Sequence, residues 1–165
     1  MKITLIGMMG SGKSTVGKII ASRINWPFYD LDDIIEEKTG HVISEIFSLG
    51  GQRVFRSWER KIVRELYEET DKAVVSSGGG AVLSPKNRKI FLRSGPVFYL
   101  AASPGELIDR MDIEDRPLLF EADDPEKELR MLLERRLPLY RMGYKIETEK
   151  FSPEKVAETI IHNLL

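Results

Sequence analysis

Residues 7–14 read Gly-Met-Met-Gly-Ser-Gly-Lys-Ser and fit the pattern G-x-x-x-x-G-K-[ST] at every position. Glycines let the backbone curl so that successive N–H groups face an anion, and the start of the following helix adds partial positive charge. Lys13 can then reach the β- and γ-phosphates of a nucleotide, while the Ser14 hydroxyl can ligate Mg²⁺. A glycine turn that merely precedes Lys-Ser is the alternative, and the strand-loop-helix context argues against it. The nucleotide is therefore expected at Gly10, Ser11, Gly12, Lys13 and Ser14.

A phosphate-binding loop alone does not distinguish a kinase from a switch GTPase or a mechanical ATPase. Guanine-specific GTPases usually carry an Asn-Lys-x-Asp signature, which this sequence lacks, since residues 87–90 read Asn-Arg-Lys-Ile. Motor and clamp ATPases normally need a longer chain than 165 residues. The small size and the short distance to the next acidic motif favour a kinase that moves the γ-phosphate of ATP to a hydroxyl of a small molecule.

That acidic motif is Asp30-Leu31-Asp32-Asp33, at the end of the second predicted strand. Asp30 and Asp32 are two positions apart, so they would share a face of an extended segment. One carboxylate could help to hold Mg²⁺, and the other could orient a substrate hydroxyl or accept its proton. The alternative is an acidic cluster that complements a helix dipole, which we assign to Asp33.

Several arginines are spaced as ordinary surface residues. Arg53, Arg56 and Arg60 fall on one side of a predicted helix, where ion pairs are worth only about 0.2–0.5 kcal/mol each. Periodicity alone therefore predicts a solvated stripe at these positions, and it predicts the same for Arg135 and Arg136.

Arg116 differs because it lies within residues 112–124, an acidic stretch with little periodicity that we predict to be a mobile lid. A cation in such a segment can close over phosphates. The alternative is a local salt bridge to Asp112, Glu114 or Asp115.

The elements that position these residues alternate between strands and helices. Apolar runs predict strands at residues 3–6, 27–29, 73–76 and 97–100, and a weaker fifth strand at 145–148. Helical spacing recurs at 14–24, 32–38 and 52–69, and four Ser-Pro or Asp-Pro pairs, beginning at residues 84, 103, 124 and 152, indicate further helix starts. This alternation predicts one α/β domain over residues 1–165, with a central parallel sheet covered by helices on both faces. Ligands would gather at the carboxyl ends of its strands.

Composition narrows the class of protein. The formal net charge is −1, which argues against a nucleic-acid or anionic-membrane partner. The chain has no cysteine, so disulfides, thiol catalysis and Cys-based zinc sites are excluded, as suits a reducing cytoplasm. No apolar stretch approaches the roughly 20 residues that cross a bilayer. We expect a cytoplasmic monomer.

Six segments together resemble the shikimate kinase family, and the resemblance runs along nearly the whole chain. The phosphate-binding loop is common to many nucleotide-hydrolysing proteins, whereas the ordered set is specific. The segments are the loop through Thr15; Asp30-Leu31-Asp32; Gly51 through Phe55-Arg56 to Glu59; Gly78-Gly79-Gly80; Arg116-Pro117-Leu118-Leu119; and Arg136-Leu137-Pro138-Leu139-Tyr140.

The resemblance implies a nucleoside-monophosphate-kinase-like fold with a five-stranded parallel sheet and a substrate-binding helical segment at about 32–60. It also implies ATP- and Mg²⁺-dependent phosphorylation of the shikimate 3-hydroxyl, on the route to chorismate and the aromatic amino acids. By position, the family's catalytic residues are Lys13, Asp32 and Arg116; its nucleotide contacts include Thr15 and Arg110; its metal residues are Ser14 and Asp30; and its substrate contacts are Asp32, Phe47, Arg56, Glu59, Gly78, Gly79, Gly80 and Arg136.

Two departures and two alternatives accompany this resemblance. Gln52 stands where the family often has glutamate, and the lid at residues 112–115 is compact. The nearest alternative is another small-molecule kinase of the same fold, such as a gluconate-type sugar-acid kinase. The other is a nucleotide-binding regulatory module without transferase activity, against which the intact set of Lys13, Asp30, Asp32 and Arg116 argues.

Overall fold

The computed structural model describes residues 1–114, 116–120 and 122–164. Its centre is a five-stranded sheet in the order β2-β3-β1-β4-β5, in which every neighbouring pair is parallel. The strands are β1 (Lys2–Ile6), β2 (Phe28–Asp30), β3 (Ala73–Ser76), β4 (Val97–Ala101) and β5 (Tyr144–Glu147). The five predicted strands are confirmed, with β2 and β5 shifted by one residue and β1 and β4 one residue longer than predicted.

Helices cover both faces of this sheet, as the sequence predicts. They are α1 (Lys13–Ile24), α2 (Leu31–Thr39), α3 (Ile43–Glu69), α4 (Pro85–Ser94), α5 (Pro104–Asp109), α6 (Pro117–Phe120), α7 (Pro125–Tyr140) and α8 (Pro153–His162), with a 3₁₀ turn at Ala81–Leu83. Alternation along β1 divides the core, because Ile3 and Leu5 pack with α1 and α8 while Ile6 faces α2 to α7. In the part of the chain that the structure describes, no helix is long and apolar enough to cross a membrane.

All four predicted Ser-Pro and Asp-Pro helix starts are confirmed. The side chain of the first residue in each pair accepts a hydrogen bond from a backbone N–H of the new helix, and the proline occupies the first turn. This cap satisfies a donor that the helix itself leaves free. The capping residues are Ser84, Ser103, Asp124 and Ser152.

Helix α3 consists of two helical segments that meet at a kink at Gly51, where φ 67° and ψ −176° are not helical. The segment after the kink matches the helix predicted at residues 52–69. The segment before it, which begins at Ile43, was not predicted. The predicted lid also contains an element that the sequence pattern does not reveal, the short helix α6. Within that lid Asp115 lies outside the described residues.

Candidate active site

The glycine loop joins β1 to α1 and presents the first turn of α1 to a cavity of about 1030 Å³. Gly12 precedes this helix with φ 89°, and no side chain among the described residues caps the helix, so its first N–H groups remain available to an anion. Gly7 and Gly10 also have positive φ, and a Cβ on either would lie 2.6–2.7 Å from a carbonyl oxygen. The loop geometry therefore requires glycine at these positions.

Lys13 lies across the loop and is almost fully buried. Its Nζ donates to the Met8 carbonyl at 2.9 Å and contacts Ser11 Oγ at 3.4 Å. Burial lowers the Lys13 pKa to about 8, although the carboxylates of Asp32 and Asp30 raise it. The ammonium is thus predominantly charged at neutral pH and sits beside the expected phosphate position.

Three oxygen-bearing side chains meet at the start of α1 and the ends of β2 and β3. The Ser14 hydroxyl donates to Asp30 Oδ2, and Ser76 Oγ lies 3.3 Å from Ser14 Oγ. Asp30 Oδ1 also accepts from the Asp32 N–H at 3.0 Å, so the same carboxylate caps α2. Hard oxygen ligands of this kind suit Mg²⁺. Ser76 was not predicted from the sequence, although its place at a strand end could have suggested it.

Asp32 lies in the first turn of α2 and lines the same cavity as Lys13. Its Oδ1 is buried and has no hydrogen-bond partner among the described residues. Burial and the neighbouring Asp30 raise the Asp32 pKa to about 6, while Lys13 and Arg116 oppose this shift. Asp32 is therefore mainly a carboxylate at pH 7, with a proton affinity well above that of an ordinary aspartate.

Arg56 and Glu59 form an ion pair of 2.7 Å on α3, where Glu59 is only 1 % exposed. Burial raises the Glu59 pKa to about 7, and the charge and hydrogen bond of Arg56 act against this rise. The Arg56 guanidinium lies against Gly80, where a Cβ would come within 2.0 Å of Nη2, and it also lies over the Phe55 ring. Phe55 was not predicted as part of the site, because its apolar spacing indicates only core packing.

Arg136 reaches the cavity from α7 and is 3 % exposed. Within the described ranges it forms no ion pair, and its Nη1 contacts Met8 Sδ at 3.7 Å. The expectation of a solvated stripe is therefore wrong for Arg56 and Arg136, whereas Arg53 and Arg135 are exposed as predicted. Periodicity along one helix cannot reveal that the glycine loops after β1 and β3 close over it.

Arg116 enters the cavity from the segment before α6. Its Nε is buried without a hydrogen-bond partner, and it forms no ion pair with Asp112 or Glu114 among the residues that the structure describes. Its charge lowers the pKa of both Lys13 and Asp32, which places it within their electrostatic range. The local salt bridge considered from the sequence is thus not found with these two acids, and Asp115 lies outside the described residues.

Arg110 lines the same cavity and lies against Thr148, in the segment between β5 and α8. Its Nε donates to Glu106 at 2.8 Å, and its other nitrogens donate to the hydroxyl and the carbonyl of Thr148 at 3.0 and 3.1 Å. These contacts hold the guanidinium plane in one orientation, which suits stacking on a flat ring.

The cavity brings together every residue assigned to the site except Glu59, which lies behind Arg56. At one end is the glycine loop, and at the other are Arg56 and the buried Arg136, with Asp32 between them. Glycine at position 78 lets the loop after β3 approach both carboxylates closely. A Cβ there would lie 2.9 Å from Asp32 Oδ1 and 3.2 Å from Glu59 Oε2. The arrangement can hold a phosphate and a carboxylate in one enclosed space, with a proton acceptor between them.

Comparison with known proteins agrees with this geometry. A family model described as shikimate kinase matches residues 9–165. A shikimate kinase of Thermodesulfovibrio yellowstonii is 41 % identical over 161 residues, covering 96 % of this chain and 92 % of the relative. A shikimate kinase structure from Acinetobacter baumannii in complex with shikimate superposes with a TM-score of 0.94 at 37 % identity, covering 99 % and 92 % of the two chains.

A gluconokinase from Sinorhizobium meliloti is similar at a lower level. Its TM-score is 0.59 at 21 % identity, with 99 % of this chain and 92 % of the gluconokinase covered. This likeness shows a shared fold and carries no information on the acceptor.

Proposed function

The chain belongs to the shikimate kinase family, and on that premise we propose that it transfers the γ-phosphoryl group of ATP to the 3-hydroxyl of shikimate. The products are shikimate 3-phosphate and ADP, on the route to chorismate and the aromatic amino acids. The observation that carries the proposal is the single cavity in which Asp32 lies between the Lys13 loop and two enclosed arginines.

The nucleotide half of the reaction is assigned to the loop and its flanks. Gly10, Ser11, Gly12 and Thr15 surround the phosphates, and Lys13 neutralises the β- and γ-phosphates, as in other phosphate-binding loops. Arg110 flanks the base, with its guanidinium fixed by Glu106 and Thr148. Lys13 and Arg116 stabilise the charge that spreads over the transferring phosphoryl group.

Mg²⁺ fits the oxygen cluster of Ser14 and Asp30. Among the described residues no group of three acidic or histidine side chains could form a metal cage. When bound, the ion neutralises charge on the β- and γ-phosphate oxygens. Ser14 and Asp30 would hold it, and Asp30 also fixes the start of α2 and thereby the position of Asp32.

The acceptor half is assigned to the arginines and the glycine triplet. Arg56 and Arg136 bind the carboxylate of shikimate, because a planar guanidinium suits bidentate contact with a carboxylate. Glu59 orients Arg56, Phe47 forms an apolar wall, and the backbone from Gly78 to Gly80 contacts the ring hydroxyls. Arg136 favours an anionic substrate, because it is buried without an ion pair among the described residues and an unpaired buried charge is costly.

Asp32 orients the 3-hydroxyl and takes its proton as the new oxygen–phosphorus bond forms and ADP departs. Its pKa of about 6 keeps it ionised at neutral pH and makes it a better proton acceptor than an exposed aspartate. Residues 112–124 act as a lid that carries Arg116 and excludes water, which otherwise competes with shikimate as the phosphoryl acceptor.

A coupled assay of ADP formation tests the proposal with three acceptors: shikimate, quinate and gluconate. We expect ADP release that depends on shikimate, with little turnover of the other two. Preferential turnover of gluconate would select the sugar-acid kinase alternative. Tight ATP binding with no phosphorylation of any acceptor would select the regulatory module.

We also propose that the protein acts as a cytoplasmic monomer of one domain, without a nucleic-acid partner. The nearly neutral formal charge of −1 argues against a nucleic-acid partner, and the absence of cysteine suits a reducing cytoplasm. Light scattering after size-exclusion chromatography tests the monomer directly, and a mass near 18.9 kDa is the expected result. A mass twice that value would contradict it.

A further inference from the structure

Met8 belongs to the glycine loop, yet it contacts residues assigned to both halves of the cavity. Its backbone carbonyl accepts from Lys13 Nζ at 2.9 Å, on the nucleotide side. Its side chain is 1 % exposed and points to the other side, where Sδ lies 3.7 Å from Arg136 Nη1 and 3.5 Å from the Tyr140 hydroxyl. No functional motif requires methionine at this position, because it is a variable position of G-x-x-x-x-G-K-[ST].

The contact matters because Arg136 has few partners. It is 3 % exposed and has no ion pair within the part of the chain that the structure describes, so the Met8 sulfur and the Tyr140 hydroxyl are the side-chain groups that orient its guanidinium there. A buried hydrogen-bond donor is stabilised by any acceptor within reach, and thioether sulfur is a weak acceptor. The Met8 sulfur is therefore well placed to hold Arg136 in a single orientation.

Tyr140 completes the same cluster from the end of α7. Its hydroxyl donates to the Gly79 carbonyl at 2.5 Å, and its ring stacks on Tyr99 with centroids 4.9 Å apart. The cluster of Met8, Arg136 and Tyr140 thus ties the loop after β1 to the glycine triplet after β3. One sulfur atom here contacts two side chains of α7.

We propose that Met8 is a positioning residue, whose sulfur orients the Arg136 guanidinium for the substrate carboxylate. This inference rests on the proposed function, since it takes Arg136 as a carboxylate ligand. Met8 is not among the residues that line the cavity, so its side chain acts through Arg136 and its effect is confined to the acceptor half.

Met8→Leu tests the proposal because it removes the acceptor while nearly preserving volume. We expect the KM and the calorimetric Kd for shikimate to rise on the order of fivefold, as for the loss of one modest hydrogen bond. The kcat and the KM for ATP should stay within about twofold, because the backbone contact of Met8 with Lys13 is retained. A merely structural role would move both substrates together.

Met142→Leu is the matched control, since Met142 packs against the same core and makes no hydrogen bond to an arginine in the described residues. It should leave both KM values unchanged. Met8→Gln restores an acceptor of similar reach and should return the shikimate Kd to within about twofold of the starting value. If a thermal melt shows that Met8→Gln is unfolded, Met8→Leu alone tests the inference.

An unchanged shikimate Kd in Met8→Leu would overturn the inference, as would a parallel rise in the KM for ATP. Neither result would affect the proposed function, provided that the unsubstituted protein phosphorylates shikimate. Failure of the unsubstituted protein to bind shikimate would instead overturn the proposed function, and the inference with it.

Discussion

Asp32 is the residue on which the chemistry depends most directly. Three charged groups face it from three different elements, namely Lys13 from α1, Arg56 from α3 and Arg116 from the lid. Their combined field partly offsets burial, so the pKa rises only to about 6 and the carboxylate remains available at neutral pH. A lone buried aspartate without these cations would be protonated and unable to accept a proton.

Asp32→Asn should therefore abolish transfer while sparing the nucleotide site. Removal of a positioned general base typically costs about 10²- to 10⁴-fold in rate. We expect such a fall in kcat, with the Kd for ATP within about twofold, measured by the coupled assay and by calorimetry. Asp33→Asn is the control, because Asp33 is exposed in the same turn. Undiminished turnover in Asp32→Asn would remove Asp32 from its assigned role.

Gly80→Ala should weaken the carboxylate clamp without unfolding the protein. The added Cβ would lie 2.0 Å from Arg56 Nη2, and the flexible end of that side chain can move away where a backbone could not. We expect the KM for shikimate to rise about tenfold or more, since a charged hydrogen bond is worth about 1.5–3 kcal/mol. The thermal midpoint should change little. A normal KM would show that Arg56 does not hold the substrate.

At the scale of elements, α2 and the first half of α3 form a wall of the cavity. Asp30 caps α2, and Glu36 on α2 accepts from the Ile43 N–H at 2.8 Å, where α3 begins. The kink at Gly51 then lets α3 turn, so that its second half carries Arg56 and Glu59 toward the cavity. The backbone conformation at one glycine thus links two parts of the acceptor half.

Gly51→Ala should destabilise the protein through backbone strain alone. Among the described residues no atom lies within 4 Å of the position that a Cβ would take, yet φ 67° with ψ −176° is disfavoured for any residue that has a side chain. We expect a loss of about 1–3 kcal/mol in the free energy of unfolding by urea. Gly105→Ala, which is equally unobstructed and has no positive φ, should be neutral or slightly stabilising. Equal effects of the two substitutions would contradict the strain argument.

The sequence predicted the regular elements well because their signals are local. Each strand is signalled by a short apolar run, and each capped helix start by a cap within a few residues, as at Ser84 and Ser152. The first half of α3 was missed, because Gly50 and Gly51 interrupt its helical pattern and leave a segment without a clear apolar period.

The spacing of arginines along a helix did not distinguish those that face the cavity from those that face solvent. Arg53 and Arg56 lie three residues apart on one helix, yet only Arg56 of these two meets the loop after β3. That contact depends on segments distant in sequence, and so do the places of Ser76 and Met8. Resemblance to a family could indicate such residues, whereas periodicity could not.

For the whole molecule, the strand order places the functional loops together. β1 and β3 are neighbours at the centre of the sheet, so the loops that follow them open at the same carboxyl edge. The cavity formed there has α7 on one side and the lid on the other. We propose that residues 112–124 close over this cavity and exclude water.

Arg116→Ala tests the role of the lid in catalysis. Because Arg116 is assigned to the phosphoryl group rather than to shikimate, we expect kcat to fall by about 10³-fold or more, as for other phosphate-directed arginines. The KM for shikimate should change by less than about threefold. Arg130→Ala, an exposed ion-paired residue of α7, is the control and should leave kcat unchanged. A rise in the KM for shikimate with a normal kcat would indicate that Arg116 binds shikimate rather than the phosphoryl group.

The central claim is that one cavity holds a triphosphate at the glycine loop and a carboxylated alcohol at Arg56 and Arg136. The most direct measurement compares kcat/KM for shikimate and for its methyl ester, with the product identified by phosphorus NMR. We predict phosphorylation of shikimate at the 3-hydroxyl and a fall of roughly 10²- to 10³-fold in kcat/KM for the ester, which leaves the buried Arg136 without an anion. Equal kcat/KM for the acid and the ester, or no phosphorylation of shikimate, would contradict the account.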